Sequence, residues 1–413
     1  MCTAKEIETA ADNFDGVVVH TPLQYNLLLS EEFECNVYLK REDLQVVRSY
    51  KIRGAYHKMK SLIPEEKLRG VVCASAGNHA QGVGHSCRIL NIRCSIFMPL
   101  TTPQQKVNQV KLFGKDMINV ILVGDTFDDA NHAAQGYSEQ TGMTFIHPFD
   151  DEQVITGQGT VGKEILDDTQ VQIDFLLLPV GGGGLAAGVS TYFKEKSPNT
   201  HIVGVEPEGA PSMSLSLKNG YNTELETIDR FVDGASVKKV GDKTFEICRK
   251  TLNEMILVPE GKVCTTILKL YNQQAIVVEP AGALSITALH SMKEKIKGKN
   301  VVCVVSGSNN DITRTEEIRE RSLLYEQLKH YFIVRFPQRA GALKEFVSSV
   351  LGPEDDIVHF EYMKKNNREN GPALVGLEVK NQNELGALKG RLQDLGFQYE
   401  YINKNDNLMQ FLA

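Results

Sequence analysis

No stretch of this 413-residue chain approaches the roughly 20 consecutive apolar residues that a membrane-spanning helix requires. The first twenty residues, MCTAKEIETAADNFDGVVVH, lack a basic segment followed by an apolar one, so no secretory signal is expected. Positive charge is not in excess. With 45 Lys and Arg against 52 Asp and Glu, the net charge of −7 argues against a nucleic-acid partner. The eight cysteines, at 2, 35, 73, 87, 94, 248, 264 and 303, include no C-x-x-C pair, so neither zinc binding nor dithiol chemistry finds support. Cys73 and Cys303 lie inside apolar, β-branched runs (GVVCAS, NVVCVVSG) and read as buried free thiols in a reducing compartment, the cytoplasm. Low-complexity segments are absent. At 42% hydrophobic and 23% charged residues, the composition is that of an ordinary soluble protein, long enough for two or three domains.

Between residues 70 and 310, short apolar runs (GVVCAS, CSIFMP, NVILVG, FLLLPV, HIVGVE, MILVP, NVVCVVSG) alternate with amphipathic stretches such as PQQKVNQVKLFG and GKVCTTILKLYNQQ. Continuous apolar strands fit parallel pairing with helices on both faces, an α/β architecture. After residue 312 the character changes. TRTEEIRERSLLYEQLKH reads as a charged helical connector. A βαββαβ succession follows: YFIVRFP, AGALKEFVSSVLG, DIVHFEYMKK, a turn at NNRENGP, ALVGLEVK, NELGALKGRLQDLG and QYEYIN. That order is the α+β ferredoxin-like unit.

Four segments sit where apolar strands give way to polar residues, the end at which parallel sheets bind ligands. PVGGGGLAAG, from Pro179 to Gly188, follows a strand and opens a helix. Its glycines let backbone N–H groups approach a phosphate. The same stretch contains G-x-G-x-x-A, with Glu206 ending the next strand about twenty residues on, so a dinucleotide fingerprint and a nicotinamide-dependent oxidoreductase stay open on this evidence. ASAGNHAQG, from Ala74 to Gly82, offers Ser75 and Asn78 as capping residues and a nest of N–H groups for a carboxylate or phosphate. VVSGSNND places Ser306 at a strand end, and VVEPAGA is expected to place Glu279 at another.

In SYKIRGAY, Ser49 reads as an N-cap, yet Arg48, Lys51 and Arg53 crowd the start of the helix, where cations are disfavoured. The crowding is expected to depress the pKa of Lys51 and make its amine a better nucleophile. An activated amine beside a phosphate cradle suggests pyridoxal phosphate.

Taken together, SYKIRGA, SAGNHAQG, GGGGLAAG, EPAGA and SGSN resemble the fold-type II (tryptophan synthase β-like) pyridoxal-phosphate enzymes, and within them the threonine dehydratase (threonine ammonia-lyase) family of biosynthetic type. The likeness spans about residues 5 to 320. The tail, opening at FPQRAGALKEF, resembles the ACT-like regulatory domain of that family. The resemblance implies a catalytic domain over 1–322, made of two α/β subdomains with the smaller at roughly 52–148, and a regulatory domain over 323–413. It implies that Lys51 carries the cofactor and acts in catalysis, that Tyr50 packs against it, and that Asn78 bonds the ring oxygen. Gly181, Gly182, Gly183, Gly184 and Leu185 would hold the phosphate, Ser306 would face the ring nitrogen, and Glu279 would lie near the cofactor. Ser75, Ala76, Gly77, Asn78 and His79 would hold the substrate carboxylate. Glu206 and Ala210 fit a cation pattern of some relatives, but Ser212 replaces an acidic ligand, so no metal is expected. The implied reaction converts L-threonine to 2-oxobutanoate and ammonia, or L-serine to pyruvate, in a homotetramer inhibited by isoleucine, with valine opposing. A catabolic dehydratase and a serine racemase-like enzyme are the alternatives within the same cofactor class.

Overall fold

The computed structural model describes residues 2–363, 369–409 and 412. Ten strands lie before residue 310: β1 (Leu23–Tyr25), β2 (Asn36–Arg41), β3 (Val71–Ala74), β4 (Cys94–Met98), β5 (Ile118–Leu122), β6 (Thr144–Phe145), β7 (Phe175–Pro179), β8 (His201–Pro207), β9 (Glu254–Val258) and β10 (Asn300–Val305). They form two sheets, ordered β1-β2-β10-β7-β8-β9 and β5-β4-β3-β6. Every pairing is parallel except β1 with β2. All seven apolar runs read from the sequence are strands here. Residues of β3, β4 and β7 are buried throughout, as covering of both faces demands. Three strands escaped the sequence reading. β1 and β6 are too short to show a period, and β2 (NVYLKR) looks polar because Lys40 is buried by pairing rather than by its own chemistry.

These strands and their helices form one unit, Met1–Glu260 with Lys269–Asn310. Its larger sheet is packed by Leu176, Leu178, Phe193, Ile202 and Val302, and the smaller by Val71, Val83, Ile96 and Val110. Each such side chain contributes on the order of 1.5–3 kcal/mol by burial. All eight cysteines are buried, and none is in a disulfide among the described residues.

The second unit comprises Gly261–Leu268 and Asp311–Ala413. Its strands β11 (Lys329–Pro337), β12 (Asp356–Tyr362), β13 (Asn370–Glu378) and β14 (Gln398–Tyr401) make an antiparallel sheet ordered β12-β13-β11-β14. Phe332, Val334, Phe336, Val375 and Leu388 fill the side covered by helices, the ferredoxin-like arrangement expected of βαββαβ. Two details differ from the sequence reading. The connector helix stops at Tyr325, and its last residues, Lys329 and His330, already belong to β11. The helix read over AGALKEFVSSVLG is α-helical only for Ala342–Glu345, then widens to a π-type turn over Phe346–Val350. Lys364 to Arg368, covering part of the NNRENGP turn, lie outside the described residues.

Candidate active site

The segment before Lys51 is stitched to the end of β10. Tyr50 N–H donates to the Ser306 carbonyl at 3.2 Å, Ser308 N–H donates to the Arg48 carbonyl at 2.9 Å, and Ser49 bridges Gly307. The helix itself is Lys51–Lys60, preceded by Tyr50 rather than capped by Ser49. The Ser49 hydroxyl accepts the Lys51 N–H at a long 3.4 Å. Lys51 therefore starts a helix beside the strand end that carries Ser306. Its Nζ donates to the Pro148 carbonyl at 2.8 Å and lies 5.4 Å from the Tyr50 ring centre and 6.0 Å from that of Phe149.

Burial pushes the Lys51 ammonium down to about 8, against an opposing pull from Glu279. The cause differs from the expected one. Arg53 points away into a buried cluster, where Glu42 and Glu164 neutralise it at 2.7 Å each, and Arg48 reaches Gln109 at 3.2 Å. Desolvation, not crowding by cations, disfavours the charged amine. Two histidines next to it, His79 buried and His147 half-buried, are also kept neutral. Burial, then the Lys51 charge, pushes His79 down to about 3. Burial pushes His147 down to about 4, with Lys51 adding to the effect. His79 Nε2 pairs with the Ile146 carbonyl at 2.8 Å, and His147 Nδ1 accepts the N–H groups of Phe149 and Asp150 at 3.2 and 2.8 Å.

The glycine run turns between β7 and the helix Gly184–Lys196. Gly183 sits at φ +91°, and a Cβ there would meet the Thr244 hydroxyl at 2.8 Å. A Cβ on Gly182 would overlap the Phe149 ring, so neither position accepts a side chain without movement. The turn is held from behind. Thr244 Oγ1 donates to the Gly182 carbonyl at 2.6 Å, and Asp150 caps Thr244's own helix by accepting from the N–H groups of Lys243 and Thr244 at 2.9 and 3.2 Å. With its carbonyl side so fixed, the loop leads into the N–H groups of Gly184, Leu185 and the rest of the first helical turn, an anion site.

Asn78 is the first residue of the helix Asn78–Leu90 after β3, with Gly77 preceding it. The Gly77 N–H is taken by the Ser75 hydroxyl at 3.2 Å. Asn78 Nδ2 donates to Glu279 Oε1 at 2.7 Å. Glu279 does not end a strand as expected. It precedes the helix Pro280–Thr287 from an extended segment outside the sheets. Burial, then Asp233, pushes its carboxyl up to about 7, with the Asn78 amide opposing. Ser306 is buried at the end of β10. Lys51, Asn78, Glu279 and Ser306, expected at the site and carried on four separate segments, thus lie close together. Glu206 stands apart. It accepts from the N–H groups of Met213 and Ser214 at 2.7 and 2.9 Å at the start of the helix Ser212–Asn219, so it is spent on capping rather than held out for a ribose. Among the described residues no cluster of ligands suits a metal ion.

Residues 15–307 match the family described as pyridoxal-phosphate dependent enzymes, and 320–412 match the C-terminal regulatory domain of threonine dehydratase. The chain is 61% identical over 408 residues to the biosynthetic L-threonine dehydratase IlvA of Halalkalibacterium halodurans, covering 99% of this chain and 98% of that relative. It belongs to the threonine dehydratase family of pyridoxal-phosphate-dependent enzymes. The IlvA of Bacillus subtilis is 59% identical over 408 residues, covering 99% of this chain and 97% of that relative. The processed form of threonine deaminase isoform 2 from Solanum lycopersicum superposes with a TM-score of 0.73 at 41% identity, covering 78% of this chain and 94% of that one. Serine racemase from Dictyostelium discoideum gives a TM-score of 0.69 at 31% identity, covering 75% and 99%. This places the first unit in fold-type II, and membership in the family removes the nicotinamide reading.

The residues present fit the cofactor that the family uses. A buried amine of lowered pKa, a glycine turn opening a 13-residue helix and a buried strand-end hydroxyl supply partners for an aldehyde, a phosphate and a ring nitrogen. Pro148, Phe149 and Thr244 were missed from the sequence. The two-residue β6 hid the fact that HPF follows a strand end like the other loops. If Lys51 is the amine that takes up the cofactor, the rate at which apoenzyme develops the visible band is expected to rise about tenfold per pH unit and level off near pH 8, where half the amine is neutral. Stopped-flow absorbance checks this. A rate still climbing steeply at pH 10 would place the amine in water.

Proposed function

We propose that this chain is a biosynthetic threonine dehydratase, converting L-threonine to 2-oxobutanoate and ammonia at the first committed step of isoleucine biosynthesis, and L-serine to pyruvate. The observation that carries the reading is full-length identity of 61% to an IlvA, catalytic and regulatory parts together. Bound pyridoxal phosphate supplies the electron sink for the pair released at the substrate's Cα. Lys51 holds the cofactor and, once freed, takes the Cα proton as a neutral amine. The N–H groups at Gly181 to Leu185 hold the phosphate. Tyr50 and Phe149 wall the cleft beside Lys51 and exclude water. Ser75 to His79 orient the substrate carboxylate, and Asn78 holds the ring oxygen. Ser306 is a neutral partner for the ring nitrogen. It leaves the sink weaker than a carboxylate would, so loss of the β-hydroxyl competes well with return of the proton to Cα.

The second unit binds isoleucine and favours a less active state, and valine opposes it. Linkage then requires tighter isoleucine binding to that state. Pairing of this unit across subunits gives a homotetramer, and the enzyme works in the cytoplasm. Among the described residues no helix is long and apolar enough to cross a membrane. Release of 2-oxobutanoate from threonine, measured with and without isoleucine, tests the reading. Turnover indifferent to isoleucine would favour a catabolic dehydratase, and serine racemisation without ammonia release would favour the racemase.

A further inference from the structure

Asn309 lies in the loop after β10 and was not singled out by sequence. Its Nδ2 donates twice, to Asn78 Oδ1 at 2.6 Å and to the Val47 carbonyl at 2.9 Å. Its backbone N–H donates to Glu279, the carboxylate that receives Asn78 Nδ2 at 2.7 Å. The loop thus touches the segment leading to Lys51, the first residue of the Asn78 helix, and Glu279. An asparagine amide has two faces of opposite polarity, and rotating it by half a turn exchanges them. Here both neighbours oppose that rotation. A flipped Asn78 would set its NH2 against the NH2 of Asn309 and its oxygen against the Glu279 carboxylate. Each bond lost at these part-buried groups counts against the flipped state.

We infer that Asn309 is a positioning residue, which fixes the Asn78 amide so that one N–H donates to Glu279 and the other is left for the cofactor's ring oxygen. This rests on the function proposed above and adds to it a residue that acts only through another. Both amide hydrogens of Asn309 are already used within the protein, so the assignment does not require Asn309 to touch substrate or cofactor.

The test uses full-length holoenzyme, with equilibrium binding of pyridoxal phosphate and pH titration of the visible band as readouts. Asn309→Ala is expected to weaken cofactor binding about tenfold, as for one lost part-buried hydrogen bond. It should also raise the pH midpoint of the band, because a ring oxygen without its donor is more basic. Asn309→Asp, of nearly equal size, places a carboxylate against Asn78 Oδ1, favours the flipped amide, and should lose more than the alanine variant. It serves as the comparison if Asn309→Ala folds poorly by circular dichroism. In the Asn78→Ala background, Asn309→Ala should change neither readout further. Additive effects of the two substitutions, or an unmoved midpoint in both Asn309 variants, would overturn the inference. A wild-type protein that develops no visible band at all would instead overturn the proposed function on which it stands.

Discussion

Lys51→Ala is expected to lose the visible cofactor band and to form 2-oxobutanoate at least about 10⁴-fold more slowly than the parent, since the proposed reaction uses this one side chain both as anchor and as base. The fold should survive. The amine's hydrogen bond goes to the Pro148 carbonyl, and burial already disfavours its charge, so truncation removes a desolvated cation along with its contacts. Unchanged circular dichroism with a melting temperature within a few degrees of the parent would separate this chemical loss from unfolding. Retained turnover would remove Lys51 from the mechanism. The same experiment discriminates between the two origins of its low pKa. If burial is responsible, Arg48→Ala should leave the pH at which reconstitution levels off near 8. Had the neighbouring cations been responsible, that pH would rise.

Arg53→Met is expected to have the largest effect on stability, a loss of about 3–5 kcal/mol, the cost of leaving buried charge without its partner. Arg53 is fully buried two residues beyond Lys51 on the same helix. Its guanidinium grips Glu42 through Nε and Nη2 at 2.7 Å each and Glu164 through Nη1 and Nη2 at 2.7 and 2.8 Å. Lys40 adds the second cation, bonding Glu164 at 2.6 Å, so two positive groups balance two negative ones. Methionine fills much of the volume but leaves a net negative cluster. The sign of the pH dependence follows from Glu164. Burial alone would push its carboxyl up, but Arg53 and Lys40 hold it below the ordinary value of 4.5. Its contribution to stability is therefore present above pH 4.5 and lost as pH falls through the lowered folded value. The gap between parent and variant in urea denaturation should be widest near neutral pH and should narrow in acid. Arg53→Met combined with Glu42→Gln should recover part of the loss. If the single variant is as stable as the parent, the cluster contributes nothing to the fold.

Most of the strands could be read from the sequence because parallel strands covered on both faces carry continuous apolar runs, as FLLLP and VVCVV do. The glycine turn and Ser306 were singled out for a related reason, since each sits where such a run gives way to polar residues, whereas Lys51 was singled out by the cations around its helix start. Glu279 was misplaced because VVE looks like a strand end, yet that segment joins no sheet among the described residues. The cations of SYKIRGA were misread for a different cause. A helix turns 100° per residue, so Lys51 and Arg53 face directions far apart, and sequence proximity says little about electrostatic proximity. Asn309 and Phe149 carried no local signal, since their neighbours are remote in the chain.

The order and type of elements, and the segments that carry the chemistry, follow from the sequence by itself, because backbone preference and apolar periodicity are properties of adjacent residues. Only the tertiary structure decided why one amine is poised near neutrality, where Arg53 directs its charge, and which way the Asn78 amide turns. Those outcomes depend on burial and on partners remote in the chain: Arg53 bonds Glu164, 111 positions away, and Asn309 donates to Asn78, 231 positions away.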